Sequence, residues 1–112
     1  AARTTLAQHE PVLVICHSTP DVWAPGAAWG WDAVPCPPRL ATYRIGRTMY
    51  ETDRVPSAWV PRLNRMDELW VPTAFHVDTF RRSGVREELL HVVPEAVDSK
   101  FFDPDACVCL LC

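Results

Sequence analysis

The stretch "ELWVPTAFHVDTFRRSGVREELLHVVP", residues 68–94, contains an apolar run, a helical pattern and a second apolar run. The first run stops at Pro72, and Thr73 is placed to cap a helix over residues 74–83. Three apolar residues recur at helical spacing in that segment: Ala74, Val77 and Phe80. Gly84 then supplies a C-terminal stop. The stretch therefore predicts strand, helix and strand, the unit from which parallel sheets are built.

The chain before this stretch repeats the same alternation. Residues 11–17, "PVLVICH", form a continuous apolar run, which is typical of a parallel strand covered on both faces. Residues 41–51 favour a second strand, in which Gly46 indicates a close backbone approach. Residues 56–66 predict a helix with Ser57 as N-cap, or one whose regular part starts only near Pro61. One apolar face of this helix is formed by Trp59, Leu63 and Met66. Four strands alternating with helices predict an α/β fold with a parallel sheet and flanking helices.

Composition narrows the class of protein. The 112 residues carry a net charge of −3, with 48% hydrophobic and 22% charged residues. We expect a globular domain without a nucleic-acid partner, because such partners need a basic surface.

No apolar run approaches the ~18 residues of a membrane span, and no signal pattern opens the chain. Five cysteines, an odd count, indicate reduced thiols rather than a disulfide framework. We therefore predict a cytoplasmic protein, or one on the cytosolic face of an endomembrane.

We predict one domain over residues 1–105 and a cysteine-rich tail over residues 106–112. The tail contains three thiols at C-x-C-x-x-C spacing: Cys107, Cys109 and Cys112. Three thiolates could bind a soft metal, and the last four residues have the C-a-a-X form of a lipidation signal. A fourth ligand and a polybasic stretch are both lacking nearby. We therefore interpret the tail as the result of truncation and predict no metal.

A long loop, residues 19–38, is rich in proline and tryptophan and is of a length that is often functional. Its three tryptophans could stack on a sugar ring or could supply apolar area beneath the loop: Trp23, Trp29 and Trp31. The residues alone leave both interpretations open.

Ligands of open parallel sheets bind beyond the carboxyl ends of the strands. Segments 17–23, 50–54 and 94–98 follow predicted strands, so we expect them to converge at one edge. The charged side chains there could form a site. Charged residues after a strand are more often a solvated turn, and His17 could equally be a hydrogen-bonded structural histidine. Both alternatives stay open at this point.

Residues 45–104 resemble the family 4 glycosyltransferases, in the second half of their N-terminal domain. The resemblance rests on "GRTMYETDRVPSAWV", "LNRMDELWVPTAF", "FRRSGV" and "HVVPEAVDSKFFDP", which occur in the family's order and spacing. It implies the GT-B architecture, in which two Rossmann-like domains face each other across a cleft. The first domain handles a sugar or glycan acceptor, and the second handles the nucleotide-sugar donor. Transfer is expected with retention of configuration and without a cofactor or metal.

The resemblance also implies roles for individual residues. Glu51 would be catalytic, either orienting the acceptor hydroxyl or stabilising charge near the reacting carbon. The expected acceptor-binding residues are His17, Thr52, Asp53 and Arg54. Glu95 and Asp98 would lie at the hinge between the two domains. Relatives often carry a histidine in place of Glu51, so a histidine-based role is not transferred. We expect this chain alone to be inactive because it lacks the donor domain.

The alternative is a non-catalytic truncated protein that acts as a binding or interaction module. Strands missing from the sheet would leave an exposed edge, and such edges tend to recruit another chain. Self-association through that edge is therefore also expected.

Overall fold

The structure, a computed structural model, describes residues 11–23 and 36–103. These residues form a four-stranded parallel sheet in the order β1-β2-β3-β4. The strands are β1 (Leu13–His17), β2 (Tyr43–Arg47), β3 (Glu68–Val71) and β4 (Leu90–Val92). The helices are α1 (Val60–Leu63) and α2 (Ala74–Arg82), with 3-10 turns at Pro20–Trp23 and Glu87–Leu89. The predicted α/β fold with a Rossmann-like parallel sheet is confirmed.

The strands lie in the sheet in the same order as in the chain. Every connection therefore leads to the next strand in the same direction across the sheet. Because crossover connections between parallel strands are right-handed, they all pass over the same face of the sheet. We call this the covered face; its strand residues include Cys16, Gly46, Leu69 and Val71. Helical side chains pack against it, and Leu63, Leu69, Val71 and Phe80 are each 0% exposed. Most of the hydrophobic core thus lies on one side of the sheet, although Ile45, on the other side, is also buried at 3% exposure.

Gly46 lies where the core is tightest. A Cβ atom at this position would come 2.7 Å from Cη2 of Trp23 and 2.8 Å from Cδ2 of Leu69. Trp23 itself is buried, and its indole nitrogen donates a hydrogen bond to Ser18 Oγ at 2.8 Å. The close backbone approach predicted for Gly46 is confirmed, and it lets the first connection pack directly on the sheet.

The prediction that β1 is covered on both faces is wrong. Leu13 and Ile15 are 58% and 45% exposed, whereas Cys16, on the opposite face, is 2% exposed. The physical reason is the strand order, since one-directional winding brings no described helix to the second face. We call this second face the open face. Its residues are Leu13, Ile15 and His17 of β1, Tyr43, Ile45 and Arg47 of β2, Glu68 and Trp70 of β3, and His91 of β4.

The helix predicted over residues 56–66 is shorter than that range, and it begins at Val60, next to Pro61, as the alternative based on the proline predicts. Only Val60–Leu63 is α-helical, and Trp59 rather than Ser57 occupies the N-cap position. Pro61 lies in the first turn, where its missing N–H leaves no helical hydrogen bond unmade. All three residues of the predicted apolar face are nevertheless buried, although two of them, Trp59 and Met66, lie outside the α-helical residues and only Leu63 lies within them.

Helix α2 begins and ends close to where the sequence predicts. Thr73 is the N-cap residue, but its hydroxyl contacts His76 Nδ1 at 2.8 Å instead of capping a backbone N–H. Gly84 has a φ of 100°, a conformation that glycine adopts without strain, and its N–H donates to the Arg81 carbonyl at 3.0 Å. The predicted glycine stop is confirmed, whereas the predicted side-chain cap is wrong.

A disulfide joins Cys16 of β1 to Cys36, with their Cα atoms 5.7 Å apart. The prediction that the cysteines stay reduced is therefore wrong for this pair. Cysteine count and spacing could not reveal it, because the two thiols meet only when the first connection folds back onto β1. Disulfides are typical of oxidising compartments. The cytoplasmic location thus stays a prediction, and the disulfide argues against it.

Within the described ranges, no helix is both long and apolar enough to cross a bilayer. Trp29, Trp31 and the cysteine-rich tail lie outside those ranges.

Candidate functional site at the carboxyl edge of the sheet

The carboxyl ends of all four strands meet at one edge of the sheet, because the strands are parallel. His17 is paired with Arg47 across β1 and β2, and Arg47 is paired with Trp70 of β3. Val71 is paired with Val92 of β4. The segments that follow β1, β2 and β4 therefore start from the same edge, as the sequence predicts. We call this place the carboxyl edge.

An ion pair ties two of these segments together. A terminal nitrogen of Arg47 lies 2.8 Å from Oε1 of Glu95, and the Arg47 side chain is only 17% exposed. Arg47 ends β2 while Glu95 follows β4, so the pair reaches across the end of β3. The pair fixes the segment after β4 to the sheet and keeps the Arg47 guanidinium at the centre of the carboxyl edge. Arg47 was not predicted as a site residue; the signal that could have indicated it is a cation at the end of a β-strand, directly before an acidic turn.

His17 lies beside this pair, at the end of β1, and its side chain is exposed. Within the described part of the chain it makes no hydrogen bond or ion pair. The interpretation of His17 as a hydrogen-bonded structural histidine is therefore not supported. Its imidazole is available to a ligand at the carboxyl edge.

The acidic turn at 51–54 is held at both ends and is free in the middle. Tyr50 packs edge-on against Trp59 with ring centres 4.9 Å apart, and the Val55 N–H donates to Ser83 Oγ at 3.0 Å. Between them all four side chains are exposed: Glu51, Thr52, Asp53 and Arg54. The Thr52 hydroxyl donates to the Arg54 carbonyl at 2.8 Å, which stiffens the turn. The charged side chains there have no partner among the described residues and can contact a ligand.

Asp98 organises the chain after β4. Its Oδ1 accepts hydrogen bonds from the backbone N–H groups of Lys100 and Phe101 at 3.0 and 3.1 Å. Its carbonyl accepts from the Phe102 N–H at 2.9 Å. This arrangement is an Asx turn, so Asp98 has a structural role close to the predicted hinge. Glu95 and Asp98 thus fix the two ends of one short segment.

The perturbed carboxylates lie at the opposite, amino end of the sheet. Arg44 holds Asp67 with two side-chain hydrogen bonds of 2.9 and 3.0 Å, and this contact lowers the pKa of Asp67. Glu68 accepts hydrogen bonds from the Tyr43 hydroxyl at 2.7 Å and the Trp70 indole at 2.9 Å, which lower its pKa. Each carboxylate joins β2 to the start of β3. These shifts therefore reflect strand pairing and do not mark the candidate site.

Two buried polar atoms near the carboxyl edge belong to residues that were not predicted as site residues. Thr48 directly follows β2, and its Oγ1 is buried without a hydrogen-bond partner within residues 11–23 and 36–103. The same holds for Nε2 of His76 in the first turn of α2. In this part of the chain, no three histidine, cysteine, aspartate or glutamate side chains come together as a metal site. The arrangement can offer hydrogen bonds and charge to a polar ligand.

Comparisons with known proteins give no match: neither a protein-family model, nor a curated protein, nor a solved structure is similar to this chain. The resemblance to glycosyltransferases therefore rests on the quoted motifs alone.

Proposed function

We propose that this chain is the acceptor-side half-domain of a glycosyltransferase with the GT-B architecture. The enzyme would transfer a sugar from a nucleotide-sugar donor to an acceptor hydroxyl, with retention of configuration. One observation carries the proposal. The resembling motifs are separated in sequence, yet three of them lead into or away from the carboxyl edge: the end of β2 with its acidic turn, β3 with the start of α2, and the segment after β4.

The acceptor would bind over the acidic turn. Glu51 is exposed and unpaired within the described chain, so its carboxylate can accept a hydrogen bond from an acceptor hydroxyl and orient it. Asp53 and Arg54 offer an acceptor and a donor for further hydroxyls, and guanidinium groups suit bidentate contacts. His17, exposed across the edge, would bind the other side of the same sugar. The fixed ends of the turn would limit the entropy lost on binding.

The donor would be bound by a second domain that follows the segment after β4. The ion pair between Arg47 and Glu95 supports this arrangement, since it anchors the start of that segment on the sheet. Asp98 shapes the next turn through its backbone hydrogen bonds. An anchored start followed by a fixed turn is what a hinge between two domains requires, because the motion is then confined to a few residues.

The proposal is tested by acceptor binding to the chain as it stands. Amide NMR spectra would be recorded during titration with glucose, mannose, galactose, N-acetylglucosamine and their short oligosaccharides. We expect shifts confined to the carboxyl edge, at residues 17, 47, 51–54 and 95. Glu51→Gln should weaken binding about tenfold, because it replaces a charge-assisted hydrogen bond, worth about 1.5–3 kcal/mol, with a neutral one worth about 0.5–1.5 kcal/mol.

Glu88→Gln is the matched control. Glu88 is also an exposed glutamate, but it precedes β4 and so lies at the amino end of the sheet. We expect this variant to bind like the parent chain. If none of these sugars shifts the carboxyl edge, or if both variants weaken binding equally, the proposed acceptor role is wrong.

A second candidate function, a non-catalytic interaction module, is favoured by the exposed apolar side chains of β1. It requires no sugar binding, so the same titration separates it from the first.

A further inference from the structure

The outer edge of β1 has the properties of a strand that accepts a partner. Within the described residues β1 pairs only with β2, and its other side pairs with no described strand. The Val12 carbonyl accepts hydrogen bonds from the N–H groups of Thr42 and Tyr43 at 2.9 and 3.3 Å. Backbone groups of alternate residues in a strand point to opposite sides. Three residues therefore direct their N–H and C=O groups outward: Leu13, Ile15 and His17.

The usual protection against edge pairing is missing here. Natural edges carry charged side chains, prolines, bulges or very short strands. Between Pro11 and His17 the sequence "VLVIC" holds no charge, and three of its side chains are large and exposed: Val12 at 41%, Leu13 at 58% and Ile15 at 45%. The five residues of β1 run without a bulge against β2. Nothing in this strand discourages an added strand.

The opposite edge of the sheet shows the contrast. β4 has only three residues, Leu90–Val92, and Pro94 follows after one further residue. A short strand ended by proline offers few outward backbone groups. Pairing is therefore expected at β1 and not at β4.

The outward groups of β1 are arranged so that a second copy fits them. In an antiparallel pair, residues at equal distances from the centre face each other, so Ile15 would lie opposite Ile15 and Leu13 opposite His17 of the second copy. All three residues of each copy belong to the open face. The two leucines and two isoleucines would form one apolar patch, continuous with Tyr43, which is 41% exposed. A net charge of −3 per chain opposes this only weakly.

We propose that the outer edge of β1 pairs with the same edge of a second copy of this chain, in antiparallel register centred on Ile15. The two four-stranded sheets would then form one continuous sheet, with both open faces on the same side. A five-residue strand pair buries less than the ~1,600 Å² of a standard stable interface. The dimer is therefore weak and depends on concentration. This proposal is independent of the glycosyltransferase assignment.

Sedimentation velocity over a hundredfold range of concentration tests the association. We expect a monomer at the lowest concentration and a growing dimer fraction above it. Ile15→Lys places a charge at the centre of the strand pair and should raise the dissociation constant at least tenfold. Leu40→Lys is the matched control, since Leu40 is 69% exposed and lies outside the sheet. It should leave the dimer unchanged.

Cross-linking tests the register and does not depend on the folding of the lysine variant. With Cys107, Cys109 and Cys112 replaced by serine throughout, Ile15→Cys should give a disulfide-linked dimer on mild oxidation. Its Cα atom would lie about 5.5 Å from its equivalent, within disulfide reach. Leu13→Cys should not cross-link, because its equivalents would be about 14 Å apart, four residues along the strand.

A monomer at every concentration would overturn the proposal. So would a dimer that Ile15→Lys leaves intact, or cross-linking that is as efficient through Leu13→Cys as through Ile15→Cys.

Discussion

The covered and open faces of the sheet are built by alternate residues of the same strands, yet they differ in composition and in burial. On the covered face Leu69 and Val71 are 0% exposed and contact helical side chains. On the open face Glu68 and Trp70, their neighbours in the chain, form a polar cluster with Tyr43. The difference shows that the winding of the connections decides which face of β1 and β3 is packed, while Ile45 of β2 is buried at 3% exposure even on the open face.

The largest expected effect is the loss of a core side chain. Leu69→Ala should lower the free energy of unfolding by about 3 kcal/mol, because it leaves a cavity between β2, β3 and the helices. Ile15→Ala, on the open face, removes a side chain that is already 45% exposed and should cost less than about 1 kcal/mol. Urea denaturation of both variants measures the difference. Equal losses would mean that the two faces are not distinct.

Reduction of the disulfide between Cys16 and Cys36 should have a comparable effect. The bond closes a loop with a sequence separation of 20, for which chain entropy gives about 3 kcal/mol. We expect dithiothreitol to lower the urea midpoint of the parent chain. The double variant Cys16→Ser, Cys36→Ser should unfold at that lower midpoint with or without the reductant. A urea midpoint of the parent chain that dithiothreitol leaves unchanged would contradict this expectation.

Asp67 should make the stability depend on acidity. The Arg44 guanidinium lowers the pKa of Asp67 in the folded chain below its ordinary value of 3.8. Its contribution is therefore present above pH ~4 and is lost as the pH falls through the lower, folded pKa. The two side chains are 38% and 30% exposed, so the pair contributes no more than about 1 kcal/mol.

The measurement compares the parent chain with Asp67→Asn in urea melts between pH 2 and pH 7. We expect the parent to be more stable at neutral pH and the two to converge in acid. A gap that persists unchanged at the lowest pH would show that Asp67 stabilises the fold by something other than its charge.

The smallest effect concerns the polar cluster on the open face. Tyr43→Phe removes the hydroxyl that donates to Glu68 at 2.7 Å, the largest cause of the lowered pKa of Glu68. The pKa of Glu68 should rise towards its ordinary value, as followed by the side-chain carboxyl signal in an NMR titration. The core is untouched, so the urea midpoint should barely move. An unchanged pKa of Glu68 in this variant would show that the Tyr43 hydroxyl is not the main cause of its lowered pKa.

Much of the fold could be predicted because its signals are local. Pro72 and Gly84 bound α2, and the spacing of Trp59, Leu63 and Met66 marks a buried face. The errors have local causes as well. The sequence around Ser57 satisfies the rules for a cap, yet α1 begins at Val60, with Trp59 as N-cap and Pro61 in its first turn.

The candidate site could be predicted only in part. The residues that follow each strand are readable in sequence, so the position of His17, the acidic turn and Glu95 at the carboxyl edge could be predicted. Arg47 was missed because its importance comes from an ion pair with a residue 48 positions later in the chain. The contacts of Asp67 and Glu68, which lie outside the candidate site, could not be predicted for the same reason, since Arg44 and Tyr43 belong to a neighbouring strand.

The sequence by itself determined the succession of strands and helices, because apolar periodicity, proline and glycine act on the backbone within a few residues. Only the tertiary structure decided that one face of the sheet is covered, that Cys16 meets Cys36, and that Arg47 reaches Glu95. These features depend on the order of strands across the sheet and on contacts between residues far apart in the chain. A pattern confined to one segment carries no information about either.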